Sequence, residues 1–396
     1  MKNFKKAASI LLASAMVVSS FTACGSKSEG SADKGSSETS ASADTFKIGG
    51  IGPVTGGAAA YGTAVKNAIQ LAVDEINADG GINGKQIEYK FEDDEHNAEK
   101  SVNAYNNLKD WGMQMLVGTV TSTPCTAVVE KTHEDNMFQL TPSATAMESI
   151  QYDNAFRMCF SDPNQGLESA KYIGGNALAE KVAVIYDSSD VYSSGIYSTF
   201  VAEAENQSFE VVSAEAFTAD SNTDFTVQLQ KAKDAGADMV FMPIYYQQAA
   251  LIMTQADKMG YKPAFFSCDG LDGLLGVENF DAGLAEGAKF LSPFTPDATD
   301  DKTVKFVTDF KEKFGETPNQ FAADAYDCVY VVKAAAEKAG LTPDMSVSDM
   351  CDAMKAAIQE ISFDGLTGTG ISWTADGEPS KAPIVIQIEN GAYKII

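Results

Sequence analysis

The chain has 396 residues, 44% of them hydrophobic, and a formal net charge of -26. That length exceeds what one small core needs and suits two lobes of ordinary domain size. So acidic a surface repels phosphate backbones and anionic headgroups, which excludes nucleic acid as a partner.

Residues 1–23 are predicted to be a signal peptide. Lys2, Lys5 and Lys6 precede an apolar run over 7–18 that is too short to span a bilayer, and small residues follow it. Cys24, directly after Thr22 and Ala23, resembles the acceptor of a bacterial lipoprotein signal, although Phe21 stands where Leu is usual. That resemblance implies lipidation at Cys24; the alternative is ordinary secretion with a chance cysteine. Residues 24–44 are Ser, Gly, Ala, Lys and Glu without periodicity and read as a flexible tether. The folded body is therefore expected outside the cell membrane, held to it through the lipid alone.

The body opens with a strand over 46–51, a small-residue loop, and a helix on which Val65, Ala68, Ile69, Ala72, Val73 and Ile76 mark one buried face. Asn77, Gly80 and Gly81 are expected to stop that helix as left-handed caps before a strand over 86–91. This β–loop–α–β unit belongs to a parallel sheet, in which ligands bind off the carboxyl ends of the strands. The acidic run 92–95 then ends its strand and reads as solvated rather than as a cation site. A helix follows over 97–111, then strands over 113–117 and 137–140. Each of these strands delivers a hydroxyl-rich loop to a helix start: Thr119, Thr121, Ser122 and Thr123, then Thr141, Ser143 and Thr145. Helix-terminal N–H groups lack partners and suit a small carboxylate, but Ser and Thr are also ordinary N-caps.

From residue 162 the alternation restarts. Helices are expected over 164–178, 193–205, 224–236 and 247–260, and strands over 181–186, 209–216, 238–242, 264–267 and 289–292. The strand ends present Asp190 and Tyr192, then Tyr245 and Tyr246, then Asp269 between Cys268 and Gly270. Asp269 is either a helix cap or the counter-ion of a bound cation. Helices over 302–314, 319–339 and 347–359 come next. In the middle one Phe321, Ala325, Cys328, Val329, Val332 and Ala336 form a stripe. A glycine-rich crossing over 365–373 leads to a hairpin turning at Asn390-Gly391. The fold class is α/β: two flavodoxin-like lobes, each a mostly parallel sheet with helices on both faces, joined by a three-crossing hinge. Lobe 1 is expected to take 45–161 and 293–367, and lobe 2 to take 162–292 and 368–396.

The six cysteines contain no CxxC pair, so neither a disulfide framework nor a metal site is expected, and no cofactor motif is present. Elements of hydrolase, kinase and dinucleotide-binding signatures are missing as well, which argues against an enzyme. Of the two histidines, His133 reads as a surface residue.

With those loops placed, the sequence resembles the branched-chain amino-acid-binding receptors of ABC importers, which have the type I periplasmic-binding fold. The resemblance rests on the opening Ile48-Gly49-Gly50-Ile51-Gly52-Pro53-Val54-Thr55-Gly56 with Tyr61-Gly62, and on Glu75-Ile76-Asn77-Ala78-Asp79-Gly80-Gly81-Ile82-Asn83-Gly84-Lys85. Thr141-Pro142-Ser143-Ala144-Thr145 and Phe321-Ala322-Ala323-Asp324-Ala325-Tyr326-Asp327 complete it. It implies that Ser122 and Thr145, with their backbone N–H groups, hold a ligand carboxylate, with Thr121 and Ala144 beside them. The Ser143 carbonyl, the Thr145 hydroxyl and Asp269 would hold the ammonium, and Tyr61, Tyr192, Tyr245 and Phe321 would line the side-chain pocket. Asp269 stands where Glu is often seen and Ser143 where Ala is common. Where some relatives carry a cysteine pair, Glu95 or His96 and Thr121 stand instead. Gly52, Gly56 and Gly57 would let the first loop turn tightly enough to place Tyr61. The resemblance further implies a monomer that binds leucine, isoleucine or valine as its lobes close and delivers it to ABC permease and ATPase subunits. The alternatives are a receptor for another amino acid or an aromatic acid, and a sensory subunit.

Overall fold

The computed structural model describes residues 45–396, so the signal segment, Cys24 and the tether lie outside the described residues. The first sheet is built from β1 (Thr45–Gly52), β2 (Gln86–Asp93), β3 (Met115–Gly118), β4 (Gln139–Thr141) and β5 (Ala155–Arg157). Its order is β2-β1-β3-β4-β5 and every pairing is parallel. Helices α1 (Ala59–Ala78), α2 (Ala98–Trp111) and α3 (Ser122–Glu134) connect the first four strands. Parallel neighbours require such crossovers, because a tight turn cannot reverse the chain twice.

The second sheet repeats the plan. Helix α4 (Asp162–Gly175) leads to β6 (Lys181–Asp187), α5 (Val191–Ala204), β7 (Glu210–Phe217), α6 (Thr226–Asp234), β8 (Met239–Met242), α7 (Tyr246–Lys258), β9 (Ala264–Ser267) and β10 (Lys289–Ser292). Three helices follow: α8 (Asp301–Phe314), α9 (Gln320–Ala339) and α10 (Val347–Ile358). The chain closes with β11 (Ile384–Glu389) and β12 (Ala392–Ile395). The order β7-β6-β8-β9-β10 is parallel, and the antiparallel hairpin β11–β12 extends it beyond β10. Both sheets reverse strand order beside their first strand, and that switch point opens a crevice at the carboxyl ends. The chain passes between the sheets three times: from β5 to α4, from β10 to α8, and from α10 to β11.

The stripe expected on α1 is buried as a whole, and this face packs against α9. Val65, Ile69, Val73 and Ile76 are each at most 2% exposed, and each contributes roughly 1.5–3 kcal/mol by leaving water. On α9 the burial extends beyond the expected stripe to Ala322, Ala323, Val331 and Ala335. Helices α1 and α10 both pack on it, and a helix covered on most sides is apolar on most sides.

Four local expectations need correction. Asn77 is still helical; its side chain brackets Ile87, accepting from Ile87 N–H at 2.7 Å and donating to Ile87 C=O at 2.9 Å. Gly80 and Gly81 alone take left-handed φ, and a Cβ on Gly81 would lie 1.9 Å from the Lys85 carbonyl. The acidic strand end is not solvated throughout, since Asp94 is fully buried and accepts the His96 N–H at 2.9 Å. Burial pushes its carboxyl up to about 7. The second hydroxyl-rich loop opens only a four-residue 3-10 turn, Met147–Ile150, and no α-helix. The short β5 after it was absent from the sequence expectation. Among the described residues, Cys125, Cys159, Cys268, Cys328 and Cys351 are free, buried thiols.

Candidate functional site

Each aromatic side chain of the expected pocket is carried at a helix start. Tyr61 and Phe321 lie in the first turns of α1 and α9, Tyr192 is the second residue of α5, and Tyr245 is the N-cap of α7. Helices that begin at the carboxyl edge of a parallel sheet put their first side chains over the crevice, so four separate helices converge there. Tyr61 packs on Phe321 at 4.3 Å between ring centroids and edge-on to Tyr245 at 5.5 Å, and Tyr192 stacks on Tyr245 at 4.9 Å.

Placing Tyr61 needs glycine at two positions for different reasons. Gly56 has φ +80°, which turns the loop. Gly62 lets the helix start press on the loop, since a Cβ there would sit 1.9 Å from the Pro53 carbonyl. Gly52, expected to assist the turn, instead makes room for Val120, and Gly57 has nothing closer than 3.6 Å to its missing Cβ.

The two hydroxyl-rich loops are stitched together. Ser122 Oγ accepts from Thr145 N–H at 3.1 Å and from Ala146 N–H at 3.2 Å, and it pairs with Thr145 Oγ1 at 3.4 Å, where either hydroxyl can donate. Ser143 Oγ donates to Val120 C=O at 2.7 Å, and Thr141 Oγ1 receives Ala144 N–H at 2.9 Å. Thr121 is the N-cap of α3 by position, yet its side chain makes no cap bond. It pairs instead with His96 Nδ1 at 2.9 Å, so a hydrogen bond joins these two chain positions.

From the other lobe, Asp269 is 4% exposed and receives the Tyr192 hydroxyl hydrogen at 2.7 Å. It is the first residue of the 3-10 turn Asp269–Leu271, whose N-cap is Cys268. Burial pushes its carboxyl up to about 6, although the Tyr192 and Gln165 side chains pull it down. Gln165 Oε1 receives the Asp269 N–H at 3.0 Å, and Gln320 Nε2 donates to the Asp269 carbonyl at 3.1 Å.

The lobes are closed on one another. Tyr61 Oη donates to Gly270 C=O at 2.5 Å and accepts from Tyr246 N–H at 3.2 Å. Thr123 Oγ1 donates to Asp190 Oδ1 at 2.9 Å, and Gln320 N–H donates to Asp272 Oδ2 at 2.9 Å. Tyr61, Thr121, Ser122, Ser143, Tyr192, Tyr245, Asp269 and Phe321 all line one cavity, with Val120 and Gly270 completing the wall. Ala144 and Thr145 lie behind that wall, fully buried. The cavity holds about 10 Å³, room for about one water, so a larger ligand enters only as the lobes part.

Sequence reasoning missed several residues of this closed site: Thr123, His96 as a partner of Thr121, Gln165, Gln320 and Asp272. No local signal marks Gln165 or Gln320 as different from any polar helical residue. His133 is exposed and stacks on Tyr152 at 3.9 Å, as a surface residue can.

Residues 45–392 match the family model described as periplasmic binding protein. The chain is 31% identical over 299 residues to Leu/Ile/Val-binding protein homolog 3 of Brucella melitensis, covering 75% of this chain and 80% of that protein. Among solved structures it is similar to LivJ of Streptococcus pneumoniae, a branched-chain amino acid transporter substrate binding protein in complex with isoleucine. The identity there is 32% and the TM-score 0.80, over 89% of this chain and 99% of that one. A leucine binding protein, LivK of Thermotoga maritima, matches at 26% identity and a TM-score of 0.79, over 89% and 97% of the two chains.

Proposed function

The chain belongs to the periplasmic binding protein family, and from that premise we propose that it is an extracytoplasmic receptor for leucine, isoleucine or valine. Its ligand is delivered to an ABC permease driven by ATPase subunits. The observation that carries this reading is the composition of the interlobe cavity described above: hydroxyl-rich loops on one side, a buried carboxylate opposite, and aromatic faces between. A zwitterion leaving water needs both charges met by hydrogen-bonding partners, or desolvation outweighs the contacts. Ser122, with its hydroxyl and the first-turn N–H groups of α3 that no side chain caps, suits the carboxylate. Asp269, the Thr145 hydroxyl and the Ser143 carbonyl suit the ammonium. Tyr61, Tyr192, Tyr245 and Phe321 give an aliphatic side chain an apolar box.

In this reading the first lobe binds the carboxylate while the lobes are parted, and Asp269, Tyr192 and Tyr245 join on closing. Contacts made only in the closed state shift the population toward it, and the closed monomer is the form that docks on the permease. Cys24 carries the lipid that keeps the receptor at the membrane. Among the described residues no helix is long and apolar enough to cross a membrane.

A thermal-shift screen over amino acids and small carboxylates tests the ligand class, because a ligand bound only by the native state raises the melting temperature. Leucine, isoleucine or valine should give the largest shifts, and a shift confined to aromatic acids would sink the reading. Asp269→Ala should lose most affinity by leaving the buried ammonium without its counter-charge.

A further inference from the structure

The first turn of α4 carries an acid that the site described so far does not use. Asp162 is 2% exposed, and neither of its carboxyl oxygens has a hydrogen-bond partner. Its backbone N–H donates to the Thr145 carbonyl at 2.9 Å, which ties it to the ligand loop of the opposite lobe. Its carboxyl also faces the Thr145 side chain, and among the acids around it Asp269 acts on it most strongly. Behind it, Oδ2 rests against α5, where a Cβ on Gly195 would lie 3.0 Å away. One turn further along α4, Gln165 holds the Asp269 N–H, so the same helix start touches the backbone of two of the three residues assigned to the ammonium.

We propose that Asp162 is a second counter-charge for the ligand ammonium, acting through the Thr145 hydroxyl. This rests on the amino-acid reading above. An ionised carboxylate buried without partners is costly, and the group protonates instead. The groups around Asp162 are Asp269 after β9, Asp190 at the start of α5, Glu148, which lines the same surface pocket, and the Arg157 guanidinium on β5. The acids outnumber the base, and Arg157 is already committed to the Thr145 carbonyl and to Glu378. Burial, with Asp269 adding to it, holds the Asp162 carboxyl well above the usual range in the closed cleft. An ammonium arriving between Asp269 and Thr145 reverses the balance, and Asp162 gives its proton to solvent. The carboxylate then accepts the Thr145 hydroxyl hydrogen, which turns the hydroxyl lone pairs toward the ammonium.

A purely structural acid could sit here too, because a negative charge at a helix N-terminus is stabilising. Selectivity separates the two roles. Leucine and 4-methylpentanoate, the same skeleton without the amino group, are titrated by calorimetry into wild type and Asp162→Asn. The titrations run at pH 8, above the value for Asp269, in two buffers of different ionisation enthalpy to count protons. Asp162→Asn should weaken leucine roughly 10- to 100-fold, the range of a hydrogen bond to a charged group. It should leave 4-methylpentanoate unchanged and abolish proton release. Thr145→Val should show the same selective loss, and the double variant should lose no more than either single one. Equal weakening of both ligands, or unchanged leucine affinity and proton count, overturns the inference while leaving the receptor reading intact. A wild type that binds no amino acid overturns the receptor reading itself, and this inference with it.

Discussion

Asp269 sets the acid limb of the site's pH dependence. Its carboxyl titrates at about 6 in the closed cleft because burial disfavours the charged form. Only the ionised carboxylate offsets an ammonium, so Asp269 should make leucine affinity fall as the pH drops through about 6, below the range in which the Asp162 proton is counted. The fall approaches tenfold per pH unit. Calorimetry between pH 5 and pH 8 reads this directly, and a flat profile would separate Asp269 from the ammonium. The loops behind the cavity carry a second lesson at this scale. Ser122 accepts from the other loop, and Ser143 and Thr141 donate to it, so a hydroxyl that looks like an N-cap in sequence holds the site's shape instead.

At the scale of elements, the starts of α3 and α5 face each other across the cleft. Asp190 caps α5 by accepting the Tyr192 N–H at 3.3 Å and takes the Thr123 hydroxyl hydrogen from the start of α3. The capping bond lies within one lobe and survives opening, whereas the Thr123 bond exists only when the lobes meet. Thr123→Val keeps the shape of the side chain and removes the bond, so leucine affinity should fall by a factor of about 5. The far-ultraviolet circular dichroism should stay as in wild type. Unchanged affinity would mean that the bond does nothing for closure. Helix α4 begins at Asp162, two residues earlier than the periodicity suggests, because Ser161 caps it by accepting the Asn164 N–H. That shift moves Asp162 from a loop into the helix and under Thr145.

Across the whole molecule, the crossings are fastened by buried charge. Lys381, on the last crossing, pairs with Asp324 of α9, and both side chains are at most 3% exposed. Lys381 also donates to Thr367 Oγ1 at 2.8 Å, while Asp327 receives the N–H groups of Leu366 and Thr367, each at 2.9 Å. Removing one member of such a pair strands the other charge, at a cost of about 3–5 kcal/mol. Lys381→Met should therefore lower the melting temperature markedly, and adding Asp324→Leu should recover part of the loss. If the single variant melts like wild type, the pair does not secure the hinge.

The sequence by itself determined the alternation of strands and helices, the doubling of that pattern, and the loops that meet at the crevice. Hydrophobic periodicity is local: the stripe from Val65 to Ile76 says which face is buried within a few turns of chain, whatever lies opposite. The same limit explains the misses. Ala155, Phe156 and Arg157 are too few to show a period, and a fully buried arginine reads as a surface residue until Glu378 is brought beside it. Only the tertiary structure decided that the lobes meet and which partner each polar group takes. Tyr61 and Gly270 are 209 residues apart in the chain, and Gln165 and Asp269 are 104 apart. The first depends on how two sheets are set against each other and the second on how distant segments of one lobe pack, and no local pattern of side chains encodes either.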